Sequence, residues 1–194
     1  MEGASALNQR IAGRVRQLRS AQRLSLDALA EKCGVSRSMI SLIERGESSP
    51  TAVVLEKLAT GLGVTLADLF TVPEPARSPV ARRADQPEWT DPASGYTRRN
   101  VSPPGAAHPF QIVEVHFPPG ATVAFETGPR DTRVYQQIWL LVGRMDVALG
   151  TDRYRLNAGD CFAMQLDRPT TFHNPTRSPA RYAVVLASLP FSQR

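Results

Sequence analysis

Apolar residues recur every three or four positions through the first seventy residues, and the rhythm changes twice afterwards. Ile11, Val15 and Leu18 open the series, followed by Leu26, Leu29 and Ala30, then Met39, Ile40 and Ile43, then Val54, Leu55 and Leu58. This is the period of short helices that each bury one stripe. Their ends are marked as well. Ser25, Ser36, Thr51 and Thr65 stand where N-caps are needed, and Gly34 and Gly46 follow the second and third helices, where the chain turns sharply. The pattern predicts five short helices, the last a brief turn ending at Phe70.

From Val72 to about Ser94 no period survives, and Pro73, Pro75, Pro79, Pro87 and Pro92 lie among charged and small residues. That texture predicts a semi-rigid linker, part of it lying along the next domain with Trp89 as the anchor. Beyond Tyr96, runs rich in β-branched, aromatic and aliphatic residues take over at 111–117, 122–125, 134–142, 145–149 and 182–189. Gly120, Gly143, Gly150, Gly159 and the pair Pro118-Pro119 punctuate them. Short strands without intervening helices predict a sandwich or barrel. The expected organisation is multidomain, α then β: a helical domain over 1–72, a Pro-rich linker over 73–95 and a strand-rich domain over 96–194.

Composition agrees with this division. A chain of 194 residues, 42% apolar, has room for two small cores. Its formal net charge of +5 is carried almost wholly by arginine, which suits phosphate and guanine better than lysine does. The two cysteines, Cys33 and Cys161, fall in different domains, which argues for a reducing cytoplasmic setting and against a disulfide framework. Met1 to Gln9 lacks the build of a secretory leader, and the longest purely apolar run, Ile138 to Val142, is too short to span a bilayer. No membrane association is expected.

The chemistry in the first domain lies between Ser25 and Glu44. A helix, a glycine turn and a second helix, with small Ala30 and apolar Val35 and Ile40 between them, have the build of a helix-turn-helix, whose second helix enters the major groove. Ser36, Arg37, Ser38 and Ser41 fall in the N-terminal half of that helix; arginine bonds guanine bidentately, and hydroxyls reach bases or phosphates. Arg10, Arg14 and Arg16 fit a solvated face as well as a DNA contact, and Glu44 fits a local pairing with an arginine.

Leu29-Ala30-Glu31, Gly34-Val35-Ser36, Ile40-Ser41 and Ile43-Glu44-Arg45-Gly46 stand at continuous spacing. Over roughly residues 8–70 the chain thereby resembles the lambda-repressor-like, or XRE-type, helix-turn-helix family of bacterial regulators. The resemblance implies groove-reading positions at Arg37, Ser38 and Leu42, and backbone contacts from Arg19, Ser36 and Arg45. Leu26 stands where many members carry a phosphate-contacting glutamine, so that contact is not expected.

The strand-rich half resembles a cupin β-barrel (jelly roll) over roughly 96–190. The resemblance is carried by Pro119-Gly120, by Trp139 to Gly143, by Ala158-Gly159-Asp160 and by Pro169 to Asn174. It implies metal ligands at a Glu position held here by Gln136, at two His positions within Pro129 to Thr132, and at a last His position held by Thr170. None of these is a His or Glu, so no metal and no cofactor are expected. His173 has the opposite strand parity from Thr170 and is expected to face outward; His108 and His116 stand alone. Gln136, Ile138, Leu140, Thr170 and Phe172 share inward parity and predict an apolar pocket with two polar contacts, with Arg130 at its rim for a carboxylate. The alternative is that these side chains fill the interior completely.

The expected protein is a dimeric, sequence-specific transcriptional regulator reading a pseudo-palindromic operator on double-stranded DNA, its second domain sensing a small-molecule effector. An antitoxin-like protein whose barrel grips a partner protein, and a cupin enzyme tethered to DNA, are the other classes; the missing ligands and the lack of a nucleophile constellation weigh against the enzyme.

Overall fold

The computed structural model describes residues 2–70, 78–105, 109–126 and 132–190. Helices α1 (Glu2–Ala21), α2 (Leu26–Cys33), α3 (Arg37–Glu44) and α4 (Ala52–Gly61) make the head. Each of the last three begins where a hydroxyl satisfies an orphan amide: Ser25 Oγ accepts from Ala28 N at 3.0 Å, Ser36 Oγ from Met39 N at 3.3 Å, and Thr51 Oγ1 from Val54 N at 3.4 Å. Gly34 ends α2 in the left-handed region, φ 66°, which a side chain would resist. Gly61 matters for a different reason. A Cβ there would stand 2.6 Å from Cys33 Cβ, so its absence lets α4 close against α2. Ile11, Val15, Leu29, Ile40, Ile43, Leu55 and Leu58 fill the space between the helices.

The expected fifth helix is instead a 3-10 turn, Leu66–Phe70, so the described head has four α-helices. Thr65 and Asp68 cap each other across this turn: Thr65 N and Oγ1 both donate to Asp68 Oδ2 at 2.7 Å, and Asp68 N donates to Thr65 Oγ1 at 3.2 Å. Five residues closed by a reciprocal cap favour the tighter i→i+3 geometry.

Among the described residues ten strands follow: β1 (Glu88–Thr90), β2 (Thr97–Asn100), β3 (Phe110–Phe117), β4 (Thr122–Phe125), β5 (Thr132–Val142), β6 (Arg144–Leu149), β7 (Asp152–Asn157), β8 (Cys161–Gln165), β9 (Thr170–His173) and β10 (Ala180–Pro190). They form two antiparallel sheets, one of six strands in the order β1-β2-β3-β10-β5-β8 and one of four in the order β4-β9-β6-β7. Where a cupin β-barrel (jelly roll) was expected, the described residues form this β-rich pair of sheets. Their inner faces meet: Val113, Val115, Tyr182, Val184 and Ile138 of one are buried with Val123, Met145, Val147 and Phe172 of the other. Phe172 and Tyr182 stack across the gap with ring centroids 6.5 Å apart.

Residues 88–90, inside the stretch read as linker, pair as β1 with β2, and Trp89 is buried there. The head docks at this point. Phe70 lies 5.6 Å from Trp89, Asp91 Oδ1 accepts from Ala52 N at 2.9 Å, Asn100 Nδ2 donates to Ala67 O at 3.1 Å, and Lys57 pairs with Glu126 at 2.6 Å.

Candidate nucleic-acid interface and interdomain cavity

Helix α3 buries Ile40 and Ile43 and turns the opposite side outward. Ser36, Arg37 and Ser38 at its start and Arg45 just past its end are exposed, while Ser41 and Leu42 are half-buried between them. These positions fall on one helical face. Arg37 is loosely held: its Nε lies 3.3 Å from Asp27 Oδ1, and both side chains are largely exposed. Such a pair is weak and easily exchanged for a stronger acceptor. Ser38 Oγ lies 3.2 Å from Ser36 Oγ, which also caps the helix. Arg45 bonds Ser41 and pairs with Glu47 at 2.8 Å, an exposed arrangement that holds the Arg45 guanidinium pKa up and the Glu47 carboxyl pKa down.

Arg19 occupies a different setting. It is largely buried and grips Glu44 at both carboxylate oxygens, 2.6 and 2.8 Å, while Nη1 donates to Leu24 O at 2.8 Å. Every arm of its guanidinium has an acceptor inside the head, and the Glu44 hydrogen bonds raise its pKa. It ties α1 to the end of α3, where Glu44 finds the arginine partner its sequence position suggested. Leu26 is half-buried and packs against the head core, as an apolar side chain there should. Arg14 also serves the head, donating to Asp68 O at 3.2 Å, whereas Arg10 and Arg16 are exposed.

A cavity of about 80 Å³ lies between the two units. Gln136, Thr170 and Phe172 line it. Ile138 and Leu140 face the same side but are fully packed, 2% and 0% exposed, and stand outside its lining. Arg130, expected at the rim, and His108 fall outside the described residues, as do positions 129–131. The wall includes residues that the sequence pattern did not single out: Tyr96 and Arg98 from around β2, Tyr182 from β10, and Glu56, Thr65 and Leu66 from the head. Burial pushes the Tyr96 hydroxyl pKa up to about 12 and raises that of Tyr182 further, so both remain neutral. The spacing Tyr96, Arg98, Asn100 was the available signal; alternate residues of one strand share a face, but an inward arginine breaks the apolar alternation that marks one.

His173 is turned away from this cavity, its Nδ1 2.8 Å from Thr122 Oγ1 and 3.2 Å from Ala121 O. His116 is exposed beside Glu114, with burial and the neighbouring Arg181 lowering its pKa. Among the described residues no three His, Cys, Asp or Glu side chains converge as a metal-holding group. No helix of the described residues is long and apolar enough to cross a membrane.

Residues 15–69, which contain α2 and α3 with their caps, match the family model described as helix-turn-helix. The chain thus carries a helix-turn-helix domain followed by a β-rich domain, and over most of its length it is similar to helix-turn-helix transcriptional regulators. Among its relatives, it is 29% identical to the HTH-type transcriptional regulator SutR of Escherichia coli (strain K12), over 82% of this chain and 84% of that one. It is 28% identical to the HTH-type transcriptional regulator PuuR of the same strain, over 87% and 89% of the two chains. The crystal structure of an HTH_3 family transcriptional regulator from Vibrio cholerae superposes with a TM-score of 0.77 at 26% identity, covering 95% of this chain and 98% of that one.

Proposed function

We propose that this regulator acts as a cytoplasmic homodimer that reads a pseudo-palindromic operator through α3, and that its β-rich domain is a cupin that senses a small molecule without a metal or catalysis. The observation that carries the reading is the outward face of α3, where among the described residues Arg37 pairs with an exposed carboxylate and stands beside Ser38 and Ser41. A guanine edge offers Arg37 a bidentate, partly desolvated site that Asp27 does not. Ser38, Ser41 and Leu42 complete the reading surface, Ser36 and Arg45 reach the phosphates, and Arg19 positions α3 from behind.

Dimerisation follows from the size of the head. One small helix-turn-helix makes few contacts, and two heads related by a two-fold axis read half-sites about 34 Å apart. The surface assigned to the second copy is the outer face of the six-stranded sheet. Its cross-strand rows align Phe110, Ala187 and Tyr135, then Ile112, Val185 and Gln137, then Ala183 and Trp139. Trp139 is 54% exposed and Phe110 46%. Small alanines beside large exposed rings make a face able to pack against a copy of itself, and isolated sheets rarely leave such a surface to solvent.

Gln136 and Thr170, where metal-binding cupins carry ligands, hydrogen-bond but do not supply a transition-metal shell. Elemental analysis of chelator-washed protein should find no stoichiometric metal; one ion per chain would return the enzyme reading. Footprinting of the protein on its source genome tests the whole assignment. Protected sites with two-fold symmetry upstream of genes support it, and scattered, unsymmetrical protection contradicts it. A stoichiometric second polypeptide co-purifying with the chain would favour the antitoxin-like alternative.

A further inference from the structure

Arg98 projects from β2 into the cavity between the head and the two sheets, and it is only 8% exposed. Its guanidinium lies 5.4 Å from the centre of the Phe70 ring of the head. Among the described residues its Nε–H has no hydrogen-bond partner, and no carboxylate forms an ion pair with it. The contrast with its neighbour is direct: Arg99, on the other face of the same strand, pairs with Glu114, which Arg181 also contacts at 3.0 Å. Glu56 also lines the cavity from the head, already engaged in an interaction of its own. A buried guanidinium without a counter-charge is costly, and a ring face and a neutral tyrosine offset little of that cost. An anion entering the cavity would remove it.

The remaining walls say what the anion carries. Phe117, Val123, Phe125, Phe172, Val184 and Leu186 give the space an apolar wall, beside Gln136, Thr170, Arg168 and a Glu126 already paired with Lys57. About 80 Å³ has room for a molecule of about six non-hydrogen atoms. Thr65 and Leu66 close the cavity from the head side.

We propose that this cavity takes a short apolar monocarboxylate, with the carboxylate on Arg98 and the tail against the aromatic wall, and that the head senses it directly because the head supplies part of the wall. The proposal rests on the small-molecule sensing reading above and specifies its ligand class and its route to the DNA. Ligand in the cavity touches both units at once, so it changes the balance between docked and undocked heads without needing a relay through the linker.

The test uses the full chain and three isosteric probes, butyrate, butyramide and n-butylamine, titrated to tens of millimolar and followed by nitrogen-edited NMR of the arginine Nε–H groups and the backbone. Butyrate should shift the Arg98 Nε–H signal saturably, together with the amides of Thr65 and Leu66, and should bind at least about tenfold more tightly than butyramide. Arg98→Gln should abolish that preference while leaving butyramide binding in place. The wild-type comparison of the three probes stands alone if the variant fails to fold. Equal binding of butyrate and butyramide overturns the anion assignment and leaves an apolar sensor. Preference for butylamine overturns it in favour of a cation site. Absence of any shift around the cavity with all three probes overturns the sensing reading as well.

Discussion

Arg37 and Arg19 are both arginines of the DNA-facing head, and their surroundings give them opposite work. Arg37 sits in the open beside Asp27, so its loss should cost little stability and much discrimination. Arg37→Ala is expected to relax preference at one base pair per half-site by about 1–3 kcal/mol, measured by competition between operators differing at that position. A uniform weakening across sequences would mean that it contacts phosphate. Arg19 and Glu44 are largely buried and bonded to each other, and breaking such a pair strands a charge. Glu44→Ala should lower unfolding stability by about 3 kcal/mol in denaturant titration, with DNA affinity falling only as the head loosens. Unchanged stability would remove Arg19 from its structural role. The motif spacing placed both arginines near DNA; only the fold separates them, because the partner of Arg19 comes from a helix 25 residues away.

At the level of elements, the head was legible because each signal there is local. A capping hydroxyl, an apolar stripe and a closing glycine all lie within one helix, so Ser36 marks the start of α3 and Thr51 that of α4. The strands were legible only where one face is buried. The run 122–125 is β4 as expected, and 145–149 is β6 but for one residue. Strand β7 was hidden because only Leu156 is buried in it, leaving charged residues on both faces of an edge strand. Strand β2 was hidden for the reverse reason, since Arg98, Arg99 and Asn100 are buried polar residues, and the partners of Arg99 and Asn100 lie on other elements. Asp91 belongs to the same class of long-range signal. It is 2% exposed, and one oxygen accepts from Ala52 at the start of α4 while the other holds Ser94. A carboxylate there also meets the positive end of the helix. Asp91→Ala should cost about 2 kcal/mol and split the calorimetric transition into separate melting of the head and the sheets. A single unshifted transition would show that this contact does not couple them.

For the whole molecule, head, cavity and outer sheet face form one arrangement: the surface proposed to read DNA, the wall proposed to close on a ligand and the face proposed for a second copy. The Pro-rich stretch suggested two units joined by a semi-rigid linker, part of it lying along the second. The contacts of Phe70, Asp91, Asn100 and Lys57 bring the head against the sheets, and no pattern in either half alone carries that information. Trp139→Asp, on the outer face, should convert a dimer to a monomer in sedimentation analysis and weaken operator binding strongly. A dimer that survives this change would place the two-fold interface elsewhere. The most direct test of the central claim is selection of bound duplexes from a random pool by the full-length protein, run in parallel with Arg37→Ala. The account predicts a pseudo-palindrome with half-sites about one helical turn or a multiple apart, and loss of preference at one position in each half-site for the variant. No enriched sequence, or an identical motif from both proteins, would contradict it.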